Sequence, residues 1–361
     1  MTKAIGQPGL TRLLVVLLLL AGAAADIFGP EPYMGLPLLA ATPLVAAAML
    51  SFRESLAFAI LACVISVVLD VHLGRAVTAL VVDLADVALT SCLALLINVL
   101  LTRHRLRLAQ ARDVAEAAQR ALLPDPPARA GNLEVAARYE AAQAEARIGG
   151  DLYAVQPTPF GVRAIIGDVR GKGLQAVASV SVLIGAFRQE ADYAPTLGEL
   201  AQRLDAALRR DNERRAAPAG IEDYTTALLA EIVPGSDTVR LINRGHPAPF
   251  LVHDGGIVRL DPAEPQLPLG MNLGGPGADG AGTADTFTMP PGATLLLITD
   301  GVTEARNKSG AFYDVEDAGI GTRVYRHPRQ LIDTLVQDVA NWTAGPYQDD
   351  MAIIALTRTP G

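Results

Sequence analysis

A chain of 361 residues that is 50% hydrophobic, with a mean hydropathy of +0.29, is too apolar to be disordered and too apolar for an ordinary soluble protein. A net charge of −8 and a pI near 5.2 argue against a nucleic-acid partner. Only two cysteines, Cys63 and Cys92, are present, both inside apolar runs, which excludes a disulfide framework and fits a reducing compartment.

The hydrophobicity is concentrated in four runs, at 13–25, 35–50, 56–69 and 77–101. A spanning helix needs about 20 apolar residues. The fourth run meets this outright, and the others reach it with their flanks. The first run could also be read as a signal peptide, with Ala23-Ala24-Ala25 at the cleavage position. Three further runs follow at once, which favours a retained helix. The sequence therefore predicts an all-α transmembrane bundle of about four helices over 1–101.

Basic residues set the expected topology. Lys3 and Arg12 precede the first run, 26–34 has no Lys or Arg, and Arg103, Arg105, Arg107 and Arg112 follow the fourth run. Positive-inside counting puts both ends in the cytoplasm, with the 26–34 and 70–76 loops outside. The protein is then a multi-pass protein of the cell membrane. Asp83 and Asp86 lie three apart in the fourth run and so share a helix face. Two readings stay open for them: a functional intramembrane site, or pairing near the outer interface beside Arg75. A small transporter or channel with a regulatory domain would rest on these two residues alone.

A helical linker is expected over 102–131. Leu108, Ala111, Ala115, Ala118 and Leu122 form a narrow apolar seam, suited either to a homodimer or to a lone solvated helix. Residues 1–112 carry a charge of +2, which leaves −10 on the remainder. An acidic soluble domain, 132–361, thus follows a basic collar.

From Leu133 the pattern alternates as in half-buried strands. Further strands are predicted at 151–156, 160–168, 224–232, 237–243, 248–253, 293–299 and 351–357. Helices are predicted at 172–192, 196–213 and 327–342. Strands arrive in hairpin-like pairs with turns such as Pro234-Gly235 and Asp254-Gly255-Gly256, so the class is α+β with antiparallel sheets covered by helices.

Acidic residues recur in distinctive places. Asp151 follows Gly149-Gly150, Asp168 ends an apolar strand, Asp300 ends another before Gly301, and Asp349-Asp350 precedes a third. Any one of them alone reads as a turn residue. Strand ends on one rim can gather distant carboxylates, which then need a cation. Oxygen-only ligation selects Mg²⁺ or Mn²⁺, and two such ions can activate water for attack on phosphorus. His246, in Asn243-Arg-Gly-His-Pro247, is expected to fix a loop together with Asn243.

At these residues the sequence resembles a known group. Arg147-Ile-Gly-Gly-Asp-Leu-Tyr153, Ile166-Gly-Asp-Val-Arg-Gly-Lys-Gly173, Asn243-Arg-Gly-His-Pro-Ala-Pro249, Leu267-Pro-Leu-Gly270, Leu297-Ile-Thr-Asp-Gly-Val-Thr-Glu304 and Gln348-Asp-Asp-Met351 occur in order. The set resembles the bacterial PP2C-type (PPM) serine/threonine phosphatases of the SpoIIE/RsbU group, over about 132–358. The resemblance implies a β-sandwich flanked by helices and a centre of two Mn²⁺ or Mg²⁺ ions. It implies metal ligation and catalysis by Asp151, Asp168, Asp300 and Asp349, with the Val169 carbonyl as a further ligand. Arg147 and Arg170 are the candidates for phosphate binding.

The implied substrate is a phosphoserine or phosphothreonine protein, often an anti-sigma factor antagonist in that group. The helices at 172–213 are implied to act as a switch. Two departures stand out: Val169-Arg170-Gly171 lacks the histidine that eukaryotic relatives carry there, and Arg147 is one residue off the usual spacing. The missing histidine and the seam at 108–122 leave an alternative, a catalytically weak membrane scaffold that binds phosphoproteins.

Overall fold

The computed structural model describes residues 8–28, 35–123, 125–141, 150–171, 173–215, 224–271, 282–343 and 349–359. The chain divides into two compact units, 1–111 and 112–361. The apolar runs of the first unit fold as helices α1 (Pro8–Phe28), α2 (Leu36–Met49), α3 (Phe52–His72) and α4 (Val77–Leu122). Among the described residues, three stretches are long and apolar enough to cross a membrane: Gly9–Phe28, Phe52–His72 and Val77–Leu108.

The second run is the exception. Its helix has 14 residues, and at about 1.5 Å per residue it spans ~21 Å, short of a hydrocarbon core of ~30 Å. Asn98 of α4 closes its end by donating to the carbonyls of Ala47 (2.7 Å) and Leu50 (3.1 Å). Gly35 packs so close to α1 that a Cβ there would sit 2.3 Å from the Gly22 carbonyl. Small residues permit such close helix contact.

Four ionisable groups of this unit converge. Arg75 donates to Asp70 (2.7 Å) and Asp26 (2.9 Å), and Asp83 lies 3.6 Å from the same guanidinium. Asp26, Asp70 and Asp83 are buried, whereas Asp86 is exposed. Of the two readings for Asp83 and Asp86, Asp83 follows the one that placed it beside Arg75, while Asp86 is exposed; a spacing of three is an offset of about 60° on a helix and here straddles the edge of the buried stripe. α4 continues unbroken to Leu122, so the fourth run and the expected linker helix are one element. The seam positions Ala111, Ala115 and Ala118 lie outside the residues whose side chains are described.

In the second unit the alternating segments pair as antiparallel strands: β1 (Arg129–Ala130), β2 (Leu133–Glu140), β3 (Asp151–Thr158), β4 (Gly161–Val169), β5 (Thr225–Ile232), β6 (Thr238–Arg244), β7 (Phe250–His253), β8 (Gly256–Arg259), β9 (Asp285–Thr288), β10 (Thr294–Ile298) and β11 (Met351–Arg358). One sheet has the order β1-β2-β11-β10-β7-β8 and the other β3-β4-β5-β6-β9. Helices α5 (Leu174–Glu190) and α6 (Leu197–Arg214) follow β4, the single turn α7 (Asp300–Thr303) follows β10, and α8 (Pro328–Thr343) precedes β11.

Strand alternation decides the layering. Leu295, Leu297, Ala352, Ile354 and Leu356 join the core shared with β3–β6, α5 and α6. Leu296, Ile298, Ile353 and Ala355 face the other way, onto Leu331, Leu335 and Val339 of α8. The order is thus α8, first sheet, second sheet, α5–α6. The second sheet is covered on both faces, which explains why β4 and β5 read as nearly continuous apolar runs. Truncating a core leucine such as Leu297 to alanine costs about 2–5 kcal/mol.

One buried ion pair pins the α5–α6 turn to this sheet. Arg163 of β4 bonds Glu231 of β5 (2.6 Å) and donates to the carbonyls of Ala191 (2.8 Å) and Ala194 (2.6 Å). The β7–β8 hairpin closes on Asp254-Gly255, both with positive φ (47° and 72°), the combination a two-residue type I′ turn requires.

Candidate metal centre

Register brings the acidic residues together. Asp151 opens β3 and stands directly opposite Asp168 on β4, and Asp168 stands opposite Thr226 on β5. Asp300 follows the end of β10, which pairs with β11 just beyond Asp349-Asp350. Carboxylate oxygens of Asp151, Asp168 and Asp300 all lie within 4.8 Å of one another, and this is the one such group among the described residues.

The glycines of the motifs make the approach possible. A Cβ on Gly150 would lie 2.3 Å from the Val169 carbonyl oxygen and 2.6 Å from Asp168 Oδ1. A Cβ on Gly301 would lie 1.8 Å from the Asp350 carbonyl oxygen. Neither position tolerates a side chain without moving the backbone that carries an acidic residue.

Asp151 is buried, and its carboxyl is held well above the usual carboxylate range. Burial is the main cause and the Asp168 charge the next; the Thr299 hydroxyl bond opposes them, while Asp300 and Asp350 add to the rise. Like charges this close need a cation or a proton between them. The donor set, oxygen only and clustered, fits a hard divalent ion such as Mn²⁺ or Mg²⁺.

Thr299 is a functional residue that motif reading passed over. Fully buried, it donates to Asp151 Oδ2 (2.7 Å) and accepts from the Ala352 backbone N–H (2.9 Å). It thereby aims one carboxylate using the start of β11. The available signal was a hydroxyl placed at the end of the apolar run 294–298, where another aliphatic residue would otherwise continue the core.

His246 is structural. Its N–H bonds Asn243 Oδ1 (2.8 Å), and Asn243 returns a bond to its carbonyl (2.8 Å), closing the turn as expected. Its Nε2 lies 3.1 Å from the Ile298 carbonyl and its Nδ1 3.1 Å from Thr226 Oγ1. A carbonyl only accepts, so Nε2 carries the proton and Nδ1 accepts from Thr226. Burial pushes this imidazole down to about 3, so it stays neutral. The ring stitches the strand next to Asp168 to the strand leading into Asp300.

The other motif positions divide. Asp349 is half-buried, outside the three-carboxylate group, and its Oδ1 accepts from the Asp350 N–H (3.0 Å). Asp350 is buried, and its charge is among those felt at Asp151. Val169 is buried, its carbonyl against Gly150. Arg170 is exposed, its guanidinium 5.0 Å from the Tyr224 ring centre. Arg147 lies outside the described residues. The Leu267-Pro-Leu-Gly270 motif is docked by Arg244 Nε on the Leu267 carbonyl (2.6 Å) and by the Gly270 N–H on Asp205 of α6 (2.8 Å).

Two helix-covered antiparallel sheets with an acidic cluster at strand ends define a PP2C-type phosphatase domain. The sequence matches the Stage II sporulation protein E (SpoIIE) family over residues 158–359, more than half of the chain, and the chain belongs to that family. Among solved structures it is similar to the RsbU and RsbW domains of a Mycobacterium tuberculosis protein, with 23% identity and a TM-score of 0.50, covering 66% of this chain and 64% of that one. It is also similar to the SiaA-PP2C domain of Pseudomonas aeruginosa, with 17% identity and a TM-score of 0.57, covering 70% and 98%. A third is the PP2C phosphatase domain and regulatory-domain fragment of SpoIIE from Bacillus subtilis, with 15% identity and a TM-score of 0.51, covering 63% and 64%. The chain thus spans less than two thirds, 64%, of the length of the first and third of these.

Proposed function

We propose that the chain is a membrane-anchored, metal-dependent protein serine/threonine phosphatase whose soluble unit faces the cytoplasm. One observation carries the reading: three carboxylates from separate segments lie within 4.8 Å, and Asp151 among them is buried. Asp151, Asp168 and Asp300 would hold two Mn²⁺ or Mg²⁺ ions, with the Val169 carbonyl and one of Asp349 and Asp350 completing the set. When bound, such ions lower the pKa of water and neutralise phosphate charge.

The chain's own residues do the rest. Thr299 fixes the direction of the Asp151 carboxylate, and Gly150 and Gly301 let the backbone close around the site. Arg170, and Arg147 on the resemblance, would bind and orient the phosphate; a guanidinium matches that geometry in a bidentate manner. The neutral His246 keeps the two sheets in register beneath the site and moves no proton.

The phosphorylated substrate proposed is a signalling protein of the anti-sigma factor antagonist kind, which rests on the family. Arg103, Arg105 and Arg107 after the apolar part of α4 support a cytoplasmic soluble unit. A cytoplasmic N-terminus, favoured by Lys3 and Arg12, needs the short α2 to complete a fourth crossing. A homodimer through 101–123 is proposed on the seam, and a single-chain mass by light scattering in detergent across concentrations contradicts it.

The enzymatic reading is tested on the full chain in detergent. Mn²⁺-dependent release of phosphate from a phosphoserine protein, lost with EDTA and in Asp168→Asn, is expected. Phosphoprotein binding without metal and without release would favour the scaffold instead.

A further inference from the structure

A cleft of about 400 Å³ is lined by Pro247, Ala248, Phe250, Thr303, Tyr313 and Val315. Its rim is charged: Arg259, Asp261, Asp314 and Glu316 all line it and all are exposed. Arg259 Nε donates to Asp261 (3.1 Å) and also feels the charges of Glu316 and Asp314; one cation among three acids leaves a net negative rim. The size lies within the range of about 300–1,000 Å³ that ligand sites occupy.

Two links tie this cleft to the centre. Thr303, on its wall, ends the single turn that Asp300 begins, and its hydroxyl lies 3.4 Å from the Asp300 carbonyl. Pro247 follows His246, whose ring bonds the Ile298 carbonyl two residues before Asp300. An extended polypeptide advances about 3.3 Å per residue. A residue two or three positions from a phosphoserine at the centre would lie about 7–10 Å from it, and is the one proposed to meet the cleft.

The rim is braced in place. Tyr313 donates its hydroxyl to Asp338 of α8 (2.8 Å) and its ring meets Trp342 edge-on, with centroids 6.1 Å apart. Trp342 Nε1 donates to the Ala311 carbonyl (3.3 Å), and the Glu316 N–H bonds Asp314 Oδ1 (2.8 Å). A cleft lined by apolar and acidic residues together suits a cationic side chain on an apolar stem, as lysine and arginine have. A metal ion fits less well, because among the described residues the rim carboxylates do not gather within the reach of one ion.

We propose that this cleft receives the polypeptide flanking the phosphorylated residue, and that Asp314 and Glu316 select a lysine or arginine two or three positions from it. The inference rests on the phosphatase reading above.

The test uses the full chain in detergent with Mn²⁺ and three substrates: an aryl phosphate, a phosphoserine peptide with arginine two and three residues to either side, and the same peptide with glutamate there. The expected result is a kcat/KM at least tenfold higher for the arginine peptide. Asp314→Lys with Glu316→Lys should remove or invert that ratio, with aryl phosphate hydrolysis within twofold of the parent. Asp314→Asn with Glu316→Gln, a milder change on an exposed rim, should give an intermediate ratio. Equal rates on the two peptides, or a preference unmoved in both double variants, overturns the inference while leaving the phosphatase reading intact. No Mn²⁺-dependent hydrolysis of any of the three contradicts the phosphatase reading itself.

Discussion

Asp151 and Asp168 stand directly opposite each other across the β3–β4 pair. Like charges placed so in an antiparallel pair are destabilising by some tenths of a kcal/mol when exposed, and by more when buried. The sheet edge is therefore under electrostatic stress that a divalent cation would relieve. Asp168→Asn should raise the metal-free melting temperature by about 2–4 °C, the size expected for ~1 kcal/mol in a domain of this length. It should also lose the further rise that Mn²⁺ gives the parent. Differential scanning calorimetry of the full chain in detergent, with and without Mn²⁺, measures both.

Thr299 separates orientation from charge. Thr299→Val keeps the shape, removes the hydroxyl, and leaves Asp151 Oδ2 and the Ala352 N–H without that partner. The expected loss is 10–100-fold in Mn²⁺ affinity, the usual cost of removing an outer hydrogen bond to a ligand. Thr299→Ser should restore most of it. Isothermal titration with Mn²⁺ distinguishes this role from plain packing, which serine would not rescue.

The glycines make a sharper contrast. Gly150→Ala and Gly301→Ala place a methyl 2.3 Å and 1.8 Å from backbone carbonyl oxygens. Both should abolish phosphatase activity and lower the melting temperature. Gly185, exposed within α5, meets nothing within 4 Å; Gly185→Ala should stabilise by about 0.4–1 kcal/mol and leave activity unchanged. Activity and thermal melts on the three variants decide the matter.

Much of this was legible in the sequence, for physical reasons that also explain the gaps. Strands β2–β7, β10 and β11 carry alternating or continuous apolar patterns long enough to read. β8 and β9, four residues each and half-exposed, carry too little pattern, and α7 is a single turn. The acidic positions were readable because each sits against glycine or at a strand end. The Thr299 bond was not, since it joins residues 148 apart through strand pairing. The second run, 35–50, matches α2 to within a residue at each end; hydropathy alone does not show that its 14-residue helix ends where Asn98 meets the Ala47 and Leu50 carbonyls.

The neutral His246 gives stability a pH dependence. Its folded value, about 3, lies below the unfolded value of about 6.5, so the unfolded state takes up the proton first. The contribution is complete above pH 6.5 and is lost as pH falls toward 3, at roughly 1 kcal/mol per pH unit. Urea unfolding of the full chain between pH 7.5 and 5 should show this slope, and His246→Gln should reduce it by one proton's worth. Identical slopes in the two proteins contradict the assignment.

The most direct test joins metal occupancy to chemistry. Mn²⁺ bound to the full chain is counted by electron paramagnetic resonance while phosphate release from a phosphoserine protein is followed in the same samples. The account predicts that release rises with occupancy, and that Asp151→Asn and Asp300→Asn lose both together. Release that persists without Mn²⁺ or Mg²⁺, or that survives in those two variants, would contradict it.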